Sequence, residues 1–147
     1  MNTDTSTTVD APGAIGSERI GTGSIARRGA IAAAVAAVAN VVLVLAATAA
    51  GVAPGFRPLN PFPVLLLTVL GVAAATAVYW LLVRRTSTPD RTFLRLASVA
   101  LVVSFLPDVA LLAGDPAATG PGVAVLMVMH VVAAAATVAV LTGWSPR

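Results

Sequence analysis

The chain has 147 residues, of which 58% are hydrophobic and only 10% charged, and its mean hydropathy is +0.93. A soluble domain carries about 25% charge, so this composition excludes an ordinary soluble globular protein and points to an integral membrane protein. The absence of cysteine excludes disulfides, thiolate catalysis, zinc–cysteine sites and iron–sulfur clusters.

Residues 1–26 are rich in Thr, Ser, Gly and Asp and show no apolar period. They read as a disordered cytoplasmic tail. The rest, 27–143, reads as one transmembrane domain with four apolar runs at 29–50, 64–83, 92–113 and 122–142. About 20 residues rising 1.5 Å each cross a ~30 Å hydrocarbon core. Uninterrupted runs lack the polar alternation of a membrane barrel. Backbone groups in lipid must also be satisfied within the segment. The expected fold is therefore all-α, a four-transmembrane-helix bundle.

Arg27-Arg28 ahead of the first run and Ala47-Thr48-Ala49 near its end look like an export signal. The run is longer than the 7–15 residue core of such signals, so it is read as a retained span. All nine basic residues are arginines, and the sequence pI is about 11.1. Their positions beside apolar runs mark topology rather than nucleic-acid contact. With both termini inside, Arg19, Arg27, Arg28, Arg84, Arg85, Arg91, Arg95 and Arg147 face the cytoplasm and Arg57 alone faces out. The positive-inside rule therefore selects a multi-pass cell-membrane protein with both termini cytoplasmic. Tyr79, Trp80 and Trp144 fit interfacial anchors.

Membrane helices associate through small residues. The first helix is alanine-rich on every side, so its packing face is ambiguous. The second offers Thr68, Gly71 and Ala75. The third offers Ala97, Ala100, Leu101, Ser104 and Asp108, with Phe93, Val99, Val102, Val103 and Leu106 turned elsewhere. The fourth offers His130, Ala133, Ala134 and Thr137. These stripes are expected to face one another in a bundle, and the same faces would serve a homo-oligomer or a membrane protein partner.

Ionisable groups inside a span are expensive and are functional candidates by default. Asp108 and His130 are such groups, with Asn40 a third costly polar residue. Measured from the outer helix ends at ~1.5 Å per residue, Asp108 lies ~7.5 Å deep, His130 ~12 Å and Asn40 ~15 Å. The expected intramembrane polar site is Asn40, Ser104, Asp108 and His130, in the outer half of the bundle. Asp108 and His130 can pair if their helices are neighbours, and histidine can change charge near neutral pH. Pro107 should free the carbonyl of Val103 and kink the third helix, with Ser104 close enough to bond locally.

The outer loop at 51–63 carries Pro54, Pro58, Pro61 and Pro63, with Phe56 and Phe62 placed to enter the interface. It reads as a rigid interfacial connector; the alternative is a lid over the polar layer, with Arg57 attracting an anion or lipid headgroup. One histidine and one methionine on a shared face, His130 and Met127, make a poor metal or haem site. Neither a metal nor a cofactor is expected. No phosphate-binding glycine loop, nucleophile elbow or paired acidic metal motif is present.

Asn40 in the first helix, Ser104-x-x-Pro107 late in the third and Met129-His130 in the fourth resemble the uncharacterised four-helix membrane proteins grouped as domain of unknown function 6069. The likeness spans roughly residues 26–142. It implies a four-helix membrane protein and no established activity. Small multidrug exporters of similar size are a poorer likeness, since they carry an acid in the first helix. The functional expectation is a non-enzymatic membrane protein in a lipid bilayer, whose polar layer binds a small ligand or stabilises the bundle. A proton-coupled transporter or channel subunit using Asp108 and His130 is the first alternative. A redox or lipid-modifying enzyme using His130 is the second.

Overall fold

The computed structural model describes residues 22–143. Arg19, Trp144, Arg147 and residues 1–21 of the expected tail lie outside the described residues. Four helices follow in chain order: α1 Thr22–Ala49, α2 Pro61–Arg85, α3 Pro89–Gly114 and α4 Gly120–Thr142. Each is long and apolar enough to cross a membrane, and there is no strand among the described residues. Helix α1 starts at Thr22, ahead of the apolar run, so 22–26 is helical where composition suggested tail.

Local chemistry sets the helix ends. Pro61, Pro89 and Pro121 occupy first-turn positions, where a missing N–H costs nothing. The Asn60 side chain accepts from the Phe62 N–H at 3.2 Å, and Thr119 accepts from the Gly122 N–H at 3.1 Å. Helix α4 ends at Gly143, whose φ of 66° is the left-handed cap glycine adopts readily. Arg28 reaches across from α1 and donates to the Leu141 carbonyl at 3.1 Å. A cation there complements the negative end of the α4 dipole.

Helix α1 packs against both α2 and α4, and α3 lies against α4 with a thinner contact to α2. Ile25, Gly29, Ala32, Ala36, Asn40, Val44 and Ala47 are buried on α1, so three- and four-residue steps define the face that composition left ambiguous. Gly29 allows α1 and α2 to touch, since a Cβ there would meet Thr76.

The expected stripes hold in part. Gly71 of α2 faces open space, and Val64, Thr68, Val72 and Tyr79 are buried instead. On α3, Ala100 is exposed, whereas Phe93 is buried together with Asp108. Lipid is as apolar as leucine, so apolar period alone could not tell these faces apart.

Tyr79 is a core residue and not the interfacial anchor expected. Its hydroxyl donates to Asp90 Oδ1 at 2.8 Å, and its ring meets Phe93 edge-on at 5.1 Å. This contact ties the start of α3 to the end of α2. Trp80 does sit at the surface of that end, with the Arg84 guanidinium 4.0 Å above its ring.

At the opposite end the α1–α2 connection folds back onto the bundle. Ala53, Phe56 and Leu59 are buried among Val44, Val64, Val123, Leu126 and Met129. Phe62 projects outward, 72% exposed. Of the two phenylalanines expected at the interface, Phe56 is therefore core.

Candidate functional site

Asp108 sits one residue past Pro107, in the last third of α3, and His130 sits in the middle of α4. Because α3 and α4 are neighbours, the two meet: Asp108 Oδ2 stands 3.1 Å from His130 Nδ1. Their surroundings differ sharply. The Asp108 side chain is 8% exposed and the His130 side chain 41%. The Phe105 ring packs edge-on to the imidazole at 6.5 Å.

Nδ1 has a second neighbour, the Leu126 carbonyl one turn earlier on α4, at 2.9 Å. A carbonyl oxygen can only accept, so this contact requires the hydrogen on Nδ1. That hydrogen points at Leu126, which leaves the buried Asp108 Oδ2 in close contact but without an aligned hydrogen bond. In the neutral ring Nε2 is then the accepting nitrogen. The arrangement therefore holds two acceptors and no free donor: a buried carboxylate oxygen, and Nε2 on the half-exposed ring.

Asn40 and Ser104 do not join this pair through any direct contact. Asn40 Nδ2 donates to Thr68 Oγ1 at 3.0 Å, a buried bridge from α1 to α2, and its Oδ1 is buried without a partner. Ser104 Oγ donates to the Leu101 carbonyl of its own helix at 2.7 Å, rather than to the carbonyl that Pro107 frees. Arg57 is exposed in a single 3₁₀ turn, Arg57–Leu59. The sequence places Thr68 on the packing stripe of α2 and ~6 Å below its outer end, but does not pair it with Asn40. Its bridge to Asn40 depends on helix order, which the sequence does not encode.

Among the described residues no group of three or more His, Cys, Asp or Glu side chains could hold a metal. The polar residues of the layer all fall within the stretch matched by a family model described as a family of unknown function, DUF6069, over residues 21–147. The chain belongs to the DUF6069 family. The resemblance carried by Asn40, Ser104, Pro107, Met129 and His130 is thus a family membership. No curated protein and no solved structure matches this DUF6069 chain.

Within the DUF6069 fold the two polar contacts bridge different helix pairs. The amide bridge joins α1 to α2, and the acid–imidazole pair joins α3 to α4. The second matters more for α3, whose buried residues are Phe93 near its start and Asp108 near its end.

Proposed function

We propose that this protein is a non-enzymatic, multi-pass protein of the cell membrane with both termini cytoplasmic, and that Asp108 and His130 form a small-ligand site in its outer half. The observation that supports this reading is a half-exposed imidazole resting on a buried carboxylate. An ionisable side chain left open inside an apolar bundle is costly. It is better accounted for by a ligand than by helix packing alone, which would bury both partners.

The pair also clasps α3 to α4, so binding and stability share the same residues. The orientation follows from the arginines: Arg27, Arg28, Arg84, Arg85, Arg91 and Arg95 lie at one end of the bundle and Arg57 at the other. Native mass spectrometry of the full chain in mild detergent tests the ligand. A bound small molecule retained by the wild type and lost in His130→Ala is expected. A protein that stays bare under every condition contradicts the reading.

A proton-coupled role is the second reading, favoured by two titratable side chains in contact within the apolar layer. Liposome proton flux that disappears in Asp108→Asn would select it over ligand binding.

A further inference from the structure

We infer that the ligand of this site is a membrane-dissolved amphiphile with a hydrogen-bond-donating head, which reaches His130 sideways from the lipid and lays its apolar chain in the groove between α3 and α4. The inference rests on the reading of Asp108 and His130 as a binding site.

Access along the bundle axis is closed. Phe56, Leu59 and Ala53 from the α1–α2 connection pack onto Val123, Leu126 and Met129 of α4. Leu126 is the residue whose carbonyl holds Nδ1 of His130, so the plug sits directly beyond the imidazole. The exposed part of His130 therefore opens laterally. Beginning at Val131 and Ala134, one residue and one turn past His130 on α4, a groove of about 200 Å³ runs between α3 and α4. It is lined by Leu94, Ala97, Leu101, Val131, Ala134 and Val138, and it faces outward. The one hydroxyl there, on Ser98, donates to the Leu94 carbonyl at 2.9 Å. The groove thus suits a hydrocarbon chain and offers no free donor along its length.

The head group follows from the inventory of donors and acceptors. Asp108 Oδ2 is buried, which leaves Nε2 of a neutral His130, on the half-exposed ring, as the acceptor for a head group. A matching head must donate, as a hydroxyl or an amine does. A carboxylate head would place like charges together and is disfavoured.

The test uses the full chain in neutral phospholipid vesicles containing a long-chain alcohol with a diazirine in its chain, and in a second arm the corresponding amine. Light-induced labelling should concentrate on α3 and α4 residues of the groove. Ala134→Phe fills the groove from its outward side and should lower labelling there about tenfold, the ratio for ~1.4 kcal/mol. Labelling by one arm alone names the head group as hydroxyl or amine. Even labelling of all four helices, or labelling indifferent to Ala134→Phe, overturns the inference. So does a dimer in native mass spectra that shields the groove. The ¹⁵N resonances of His130 separate the two levels. If a short water-soluble amine shifts them while groove labelling fails, the site stands and lateral access falls. If neither probe shifts them, both fall.

Discussion

Gly29 of α1 and Thr76 of α2 leave no room for a side chain between them: a Cβ at position 29 would stand 2.5 Å from Thr76 Cγ2 and 2.6 Å from its Oγ1. Thr76 cannot easily retreat, because its hydroxyl donates to the Val72 carbonyl at 2.7 Å and its β-branch is stiff. Gly29→Ala should therefore destabilise the bundle by about 1–3 kcal/mol, the usual range for overpacking. Gly71→Ala is the matched comparison, since nothing stands within 4 Å of a Cβ there. It should be neutral or stabilising by up to about 1 kcal/mol. Thermal unfolding in detergent, followed by tryptophan fluorescence, checks both. Equal effects at the two glycines would refute the close α1–α2 contact.

Tyr79→Phe keeps the ring against Phe93 but removes the donor to Asp90. A hydrogen bond to a charged acceptor contributes about 1.5–3 kcal/mol, and this one is only partly buried, so a loss near the lower bound is expected. If Tyr79 merely anchored the interface, the same variant would unfold like wild type.

The Asn40–Thr68 bridge can be isolated with a double-mutant cycle of Asn40→Ala and Thr68→Val. Interhelical polar contacts in membranes average about 0.6 kcal/mol and reach about 1.7. Coupling within that range is expected from steric-trap or denaturant unfolding. Strict additivity would mean that the two side chains act independently.

Arg28 links the first and last helices by donating to the Leu141 carbonyl at the end of α4. Arg28→Ala should cost about 0.3–1 kcal/mol, as for other cations at helix C-termini. Amide hydrogen exchange should rise at the end of α4 and stay unchanged at its start. A uniform rise along α4 would contradict capping.

The four spans were legible because runs of apolar residues of that length have few other solutions. Asp108 and His130 stood out for the converse reason, being ionisable in an apolar background. The packing faces were much less legible. The stripe pattern puts Gly71 on the packing face and Phe93 off it, yet Gly71 faces open space and Phe93 is buried. With lipid outside, the pressure that sorts apolar from polar residues across a soluble helix is absent. Tyr79 was misread because an aromatic near a span end is a common anchor, and its acceptor, Asp90, lies across the intervening turn. The proline-rich segment suggests a stiff connector first and a lid over the polar layer second, and its composition does not show that Phe56 and Leu59 pack into the bundle.

The central claim is that the Leu126 carbonyl, with the Asp108 carboxylate beside it, holds the hydrogen of His130 on Nδ1 and leaves Nε2 to accept. Solid-state NMR of ¹⁵N-histidine-labelled protein in lipid bilayers measures this directly, because His130 is the chain's single histidine. The account predicts a protonated Nδ1 and an unprotonated Nε2 in the neutral ring, with both resonances moving in Asp108→Asn. A neutral ring protonated on Nε2, or a spectrum unchanged by Asp108→Asn, would contradict it.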